Sequence, residues 1–267
     1  MKNVIKNNGV YFAWFLLYVI FFSIATFGLI LIFYFITILL AFSSVAEKIW
    51  RKVKGVRPLR LKLEKERLLP IFKEVYEGSI TADPDLPKSI KLYIKEDMTI
   101  NAFAFGKNTL VLTRGSIELL NDDCLKGLIA HEFGHFSNKH TEALLLFMVA
   151  NLPMSFIIKK LTDAKNYFDN IKRRRSIVMG SLCDLLYYAF KGIAFIGDLI
   201  LMKSSRRNEY TADEFSIKSG FGEELTNVLL EIYKVSISKP QSVKEQLRST
   251  HPHITLRIER LEAAIES

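Results

Sequence analysis

A run of 40 residues without a charged side chain constrains the fold of this chain more than any other feature. Residues 7–46 contain no Asp, Glu, Lys, Arg or His and are rich in Phe, Leu, Ile and Tyr. A helix of about 20 apolar residues crosses the hydrocarbon core of a bilayer. A secretory signal is excluded because its apolar region is only about 7–15 residues long. The sequence therefore predicts an N-terminal membrane anchor.

The anchor can cross the membrane once or twice. A single helix over residues 10–42 would be about 50 Å long, whereas the hydrocarbon core is about 30 Å thick. Ser23, Thr26 and Gly28 lie near the midpoint and can form a turn between two short spans. The sequence favours this hairpin slightly, and one long tilted span is the alternative.

The charges after the anchor predict its orientation and the partners of the chain. Basic residues follow the apolar run at once and, by the positive-inside rule, place the downstream part in the cytoplasm at the cell (inner) membrane. They are Lys48, Arg51, Lys52, Lys54, Arg57 and Arg60. The net charge of +9 is assigned to contact with anionic lipids, since no motif for DNA or RNA is present. We expect the lipid bilayer and protein or peptide substrates as partners, and no nucleic acid.

The middle of the chain alternates helical and strand patterns. The periodicity predicts a helix over residues 61–76, a strand over 90–94 and a hairpin of strands 100–105 and 109–113. Asn121 or Asp122 can cap the next helix, whose apolar residues repeat at helical spacing.

Two further apolar segments cover residues 143–158 and 177–202. The basic loop between them would lie on the outer side if both crossed the membrane, against the charge rule. Shallow or interfacial insertion is therefore favoured at least as much as two full spans. A pair of buried core helices is the third interpretation.

His131 and His135 carry the strongest chemical signal. Side chains four residues apart lie on one face of a helix, so both imidazoles can reach one metal ion. Glu132 points beside that metal, where it can accept a proton from the water that the metal activates. Only five histidines occur in the chain. This pattern predicts a catalytic zinc helix.

A catalytic zinc usually takes a third protein ligand. The extended zincin pattern would need Gly at 138 and His at 141, but Asn138 and Thr141 occupy those positions, so His140 is interpreted as a solvated residue at a helix end. Glu209 and Asp213 are again four apart. One carboxylate can bind the metal while the other orients an imidazole.

Four motifs carry a resemblance to a known family. They are His-Glu-Phe-Gly-His at 131–135, Ser-Arg-x-x-Glu-Tyr-x-Ala-Asp at 205–213, Asn-Ala-Phe-Ala at 101–104, and Ser-Thr-His-Pro at 249–252 with Arg257-Ile258. Their types and order resemble those of the HtpX-like membrane zinc metallopeptidases, a family that includes the eukaryotic CAAX prenyl endopeptidases.

The resemblance implies a mostly helical α+β fold, a zincin-like peptidase domain with a small sheet. It implies one zinc ion per chain, bound by His131, His135 and Glu209. Glu132 would be the general base and acid, and Asp213 would support a ligand.

Weaker assignments complete the candidate site. His251 is a candidate oxyanion donor, and Arg257 a candidate partner for a carboxylate near the metal. Asn101, Ala102, Phe103 and Ala104 are expected to form an edge strand that binds an extended peptide.

The predicted organisation has four parts: the anchor (1–47), the first part of the peptidase domain (48–140), an apolar membrane-associated insert (141–202) and the second part of the domain (203–267). The resemblance implies a zinc endopeptidase, with membrane or misfolded proteins as expected substrates. The alternatives are a membrane-tethered zinc-binding chaperone or scaffold and a narrow-specificity CAAX-type processing protease.

Overall fold

The computed structural model describes residues 9–25, 28–171, 174–237 and 252–266. Within these residues, ten helices accompany one four-stranded sheet. The chain is therefore a mostly helical α+β protein, which confirms the predicted fold class.

The N-terminal apolar run forms two helices, α1 (Gly9–Ala25) and α2 (Leu29–Ala41). The break falls at the predicted turn, where Gly28 adopts a φ of 84° and its N–H donates to the Ser23 carbonyl over 2.9 Å. Positive φ is a conformation that glycine adopts without steric cost. The two helices pack together, with the rings of Phe15 and Tyr34 5.7 Å apart.

A sheet follows the first helices. In chain order, helix α3 (Ser44–Val53) is followed by strand β1 (Val56–Pro58), helix α4 (Lys62–Ala82) and three further strands. These are β2 (Lys91–Lys95), β3 (Ala102–Phe105) and β4 (Thr109–Thr113). The strand order is β1-β2-β4-β3, with β2 parallel to β4 and β3 antiparallel to it, so the structure contains the predicted hairpin. Strand β3 lies at one edge of the sheet.

The remaining helices enclose the central helix α6 (Asp122–Ser137). They are α5 (Arg114–Leu119), α7 (His140–Asp169), α8 (Arg174–Lys218), α9 (Gly222–Ile237) and α10 (Ile254–Ile265). The Asn121 side chain, one of the two candidate caps in the sequence, caps α6 by accepting a hydrogen bond from the Cys124 N–H over 2.8 Å. Helix α6 packs against α4, α8 and α9, and the apolar residues at these contacts form the larger core.

Helices α7 and α8 contain the two later apolar segments. Both are long and apolar enough to cross a membrane, at residues 140–169 and 177–218. The apolar 18-residue stretch of α7 is 44% buried inside the protein, whereas the corresponding stretch of α8 is only 6% buried. The buried-core interpretation therefore does not fit α8. A second core joins α1 and α2 to α7, where the Tyr34 hydroxyl donates to the Ala150 carbonyl over 3.2 Å.

Candidate metal centre

The site forms where α6 and α8 approach each other closely. A Cβ atom placed on Gly134 would lie 2.7 Å from the Ala212 Cα and 2.9 Å from the Ala212 carbonyl oxygen. Only a residue without a side chain allows this approach. The two small residues thereby bring the histidine face of α6 against the face of α8 that carries Glu209 and Asp213.

The candidate ligand atoms converge between the two helices. One ligand atom from each of His131, Glu132 and His135 lies within 4.8 Å of the others, close enough to bind one metal ion. Opposite them, the Glu209 carboxylate places Oε2 3.6 Å from the His131 Nε2 and Oε1 3.5 Å from the His135 Nε2. Two ligands of a tetrahedral zinc with bonds near 2.0–2.1 Å lie about 3.3 Å apart. The spacing of these residues therefore fits zinc.

A buried ion pair supports the first histidine. The Asp213 Oδ1 lies 2.9 Å from the His131 Nδ1, and Arg257 donates to both Asp213 oxygens over 2.8 and 2.6 Å. The Arg257 Nη1 also lies 3.1 Å from a Glu209 oxygen. The structure thus brings Arg257 to carboxylates beside the site, the position for which the sequence made it a candidate.

The electrostatics of the cluster favour a cation. Three carboxylates, Glu132, Glu209 and Asp213, face one guanidinium, Arg257, so these four side chains together carry a net charge of 1 − 3 = −2. Burial lowers the pKa of His131, but hydrogen bonds to Asp213 and Glu209 outweigh burial and raise the pKa to about 9. The carboxylates that favour a proton on His131 also favour a divalent cation, which would displace that proton.

His140 is not solvated, and its interpretation from the sequence was wrong. Its side chain is buried, with 7% of the residue exposed, and its Nδ1 lies 3.0 Å from the Nδ1 of His135. The reason is the connection after α6: Lys139 adopts a φ of 59°, and a new helix, α7, begins at His140. The His140 Nε2 faces the Thr211 hydroxyl at 3.4 Å. His140 therefore contacts the ring nitrogen of His135 that faces away from Glu209.

The remaining candidates have different outcomes. At the predicted edge strand, Ala102 is buried, and the Asn101 backbone exchanges hydrogen bonds with the hydroxyls of Thr113 and Ser116 over 2.7–3.0 Å. Phe103 and Ala104 pair with β4, so β3 is the last strand of the described sheet and packs against α6. His251 lies outside the described residues.

Comparison with known proteins identifies the family. The family model of peptidase family M48 matches residues 65–265, about three quarters of the chain. The chain belongs to peptidase family M48. This membership classes it with the metallopeptidases, in agreement with the grouped histidines and glutamate. The resemblance noted from the four motifs is confirmed.

Similar proteins agree with the M48 assignment. The chain is 31% identical over 214 residues to a protease HtpX homolog from Dictyoglomus turgidum, covering 72% of this chain and 68% of that protein. It is 30% identical over 197 residues to one from Sulfurovum sp., covering 64% and 68%. The crystal structure of S. mikatae Ste24p matches with a TM-score of 0.56 at 19% identity, over 93% of this chain and 61% of that chain. This last likeness shows a shared fold.

Proposed function

We propose that this M48 member is an integral-membrane zinc endopeptidase. The observation that carries the proposal is the position of the Glu209 carboxylate, whose two oxygens face the Nε2 atoms of His131 and His135 at 3.6 and 3.5 Å. These three side chains would hold zinc and leave a fourth position open, as catalytic sites do. Among the described residues, the group of side chains that could hold the metal contains no cysteine, which argues against a closed structural zinc site.

The residues around the ligands have defined roles in the proposed reaction. Zinc, when bound, supplies an acidified water and an electrophile for the scissile carbonyl. Glu132 takes the proton of the attacking water and delivers it to the leaving amine. Asp213 accepts the hydrogen bond of the His131 Nδ1–H, which leaves the Nε2 lone pair for the metal. His251 stays the candidate oxyanion donor.

Strand β3 is the proposed peptide-binding element. In the described sheet β3 borders only β4, so its free edge can pair with the backbone of an extended substrate. Successive side chains of the strand point to opposite faces of the sheet, so Ala102 packs in the core while the Phe103 ring lies against Trp50. Membrane or misfolded proteins are the proposed substrates, and quality control the proposed role.

The catalytic domain is proposed to lie in the cytoplasm. The support is the group of basic residues directly after α2. Reporter fusions at Lys2 and Lys172 test the topology. A third reporter, fused within the peptidase domain, tests the orientation. A signal from the non-cytoplasmic side of the membrane would contradict the proposed cytoplasmic position of that domain.

The proposed chemistry is tested by Glu132→Gln. This change removes the proton acceptor and leaves the three ligands, so zinc content should stay at one per chain while peptide hydrolysis falls by about 10²–10⁴-fold. Glu66→Gln is the matched control, since Glu66 is an exposed glutamate on α4. Zinc is measured by elemental analysis, and hydrolysis with a fluorogenic peptide. Unchanged turnover in the Glu132 variant would refute the mechanism.

A further inference from the structure

Helix α3 presents two faces of different character. Val45, Ile49 and Val53 repeat at every fourth residue and are 55%, 59% and 76% exposed. We name these three residues the apolar stripe. Glu47 and Trp50 lie on the opposite face of the helix and contact the β3–β4 hairpin. The helix thus attaches to the sheet on one side and exposes aliphatic side chains on the other.

The sheet-facing side of α3 holds the tip of the hairpin. The buried Glu47 carboxylate accepts hydrogen bonds from the Lys107 N–H over 2.7 Å and from the Thr109 hydroxyl over 2.8 Å. A side chain at Gly106, whose φ is +62°, would collide with Glu47. These contacts fix the turn between β3 and β4 to α3.

The same side of α3 also contacts side chains of the edge strand. The Trp50 ring stacks on Phe105 with centroids 3.9 Å apart and planes 7° from parallel, and it meets Phe103 edge-on at 5.7 Å. Aromatic contacts of this kind add to the stabilisation by buried area. Because Phe103 and Phe105 belong to β3, the position of that strand is tied to the position of α3.

The position of α3 in the chain indicates what meets its outer face. Only Phe42 and Ser43 separate it from the apolar helix α2, and the two helices differ in direction by 73°. With α2 along the membrane normal, α3 lies 90° − 73° = 17° from the membrane plane. Lys48 and Lys52, both exposed, border the stripe on one side. An apolar stripe beside basic residues is typical of helices that lie in the lipid interface.

We propose that α3 is a membrane-surface helix, with its apolar stripe inserted among the lipids and its lysines on anionic headgroups. The contacts of Trp50 and Glu47 then hold β3 at the bilayer surface. Building on the proposed peptidase function, the site selects extended segments next to the membrane anchors of its substrates.

Lipid contact is tested on the full chain in vesicles of phosphatidylglycerol and phosphatidylcholine. A bimane label is placed at Ile49→Cys or Val53→Cys, with Glu231→Cys on α9 as the control, while both native cysteines are buried. Nitroxides at shallow lipid positions should quench the labels on α3 and leave the control bright. Equal quenching at all three positions would overturn the proposal. Crosslinking between two Ile49→Cys chains without lipid quenching would assign the stripe to a second copy and also overturn it.

Substrate selection is tested with the double variant Ile49→Asp/Val53→Asp. Cleavage of a membrane-anchored peptide should fall by about tenfold or more, because even one buried aliphatic side chain contributes that factor to association. Cleavage of a short soluble peptide should be unchanged, because the metal centre is intact. Leu119→Asp, at an exposed aliphatic residue of α5, is the control and should change neither rate.

The two experiments separate the two proposals. Parallel loss of both cleavage rates in the double variant would contradict the selection of anchored substrates. Absence of hydrolysis in the unmodified protein would contradict the peptidase function, and the quenching result would still decide whether α3 lies on lipid.

Discussion

Gly134→Ala tests whether the packing of α6 on α8 sets the metal site. The new Cβ would lie 2.7, 2.9 and 3.1 Å from the Cα, carbonyl oxygen and Cβ of Ala212. Two of these three atoms belong to the backbone, so a side-chain rotation cannot relieve the contact. The helices must separate by about 0.8 Å to reach an ordinary carbon–carbon distance near 3.5 Å.

The separation acts directly on the ligands. The oxygens of Glu209 already lie 3.5 and 3.6 Å from the two Nε2 atoms, and an added 0.8 Å takes these distances beyond 4 Å. Tetrahedral zinc requires its ligand atoms to lie about 3.3 Å apart. We expect zinc affinity to fall by about 10–100-fold, the range seen when support of a ligand is lost. Overpacking should also lower the free energy of unfolding by about 1–3 kcal/mol.

The assay is zinc competition against a chromogenic chelator on purified protein, followed by thermal unfolding. Gly192→Ala is the matched control, because a Cβ there meets nothing within 4 Å, and it should leave zinc affinity unchanged. Adding Ala212→Gly to the Gly134 variant should restore affinity only in part, since the backbone contacts remain. Unchanged zinc affinity in Gly134→Ala would refute the reasoning.

Three further predictions concern residues around the site and the sheet. His140→Phe should lower zinc affinity by about 10–100-fold, because His135 loses the partner of its second ring nitrogen. The absorption spectrum of the cobalt-substituted protein should show changed ligand geometry. An unchanged spectrum and an unchanged affinity would contradict a supporting role of His140. Arg257→Leu leaves two buried carboxylates without their guanidinium. The free energy of unfolding of the metal-free protein, measured in urea, should therefore fall by about 3–5 kcal/mol, and zinc should restore part of it. No loss would show that Arg257 does not compensate these buried charges. Hydrogen bonds, chiefly from Arg57, lower the pKa of Glu64 from 4.5 to about 2. The ionised carboxylate therefore stabilises the fold by about 3 kcal/mol above pH 4.5, and this contribution is lost as the pH falls from 4.5 to 2. Arg57→Leu should flatten the pH dependence of unfolding in that window, and an unaltered curve would show that Arg57 is not the cause.

Local spacing in the sequence predicted the parts of the site that lie on one helix. His131 and His135 share a face because of helical periodicity, and so do Glu209 and Asp213. The hairpin and the Asn121 cap also follow from local rules, and the structure contains both. Such features depend on a few neighbouring residues, so a single sequence contains the information needed.

Features that depend on tertiary contacts were harder to infer. His140 was misread because its position relative to the zincin pattern was judged along a single helix, whereas the left-handed turn at Lys139 starts a new helix and returns the side chain to the site. The apolar segment 177–202 marked only part of α8, because hydropathy reports the apolar surface and not helix length. The charged residues beyond 202 continue the same helix.

The continuity of α8 connects the bilayer to the chemistry. One helix of 45 residues carries both an apolar surface and Glu209, with no break between them. At about 1.5 Å per residue, Glu209 lies only about 10 Å along the axis from the end of the apolar segment. A bilayer too thin for the apolar surface makes a helix tilt. Tilt of a rigid helix would swing the third ligand relative to α6, so the proposed enzyme would sense membrane thickness through the geometry of its own zinc site.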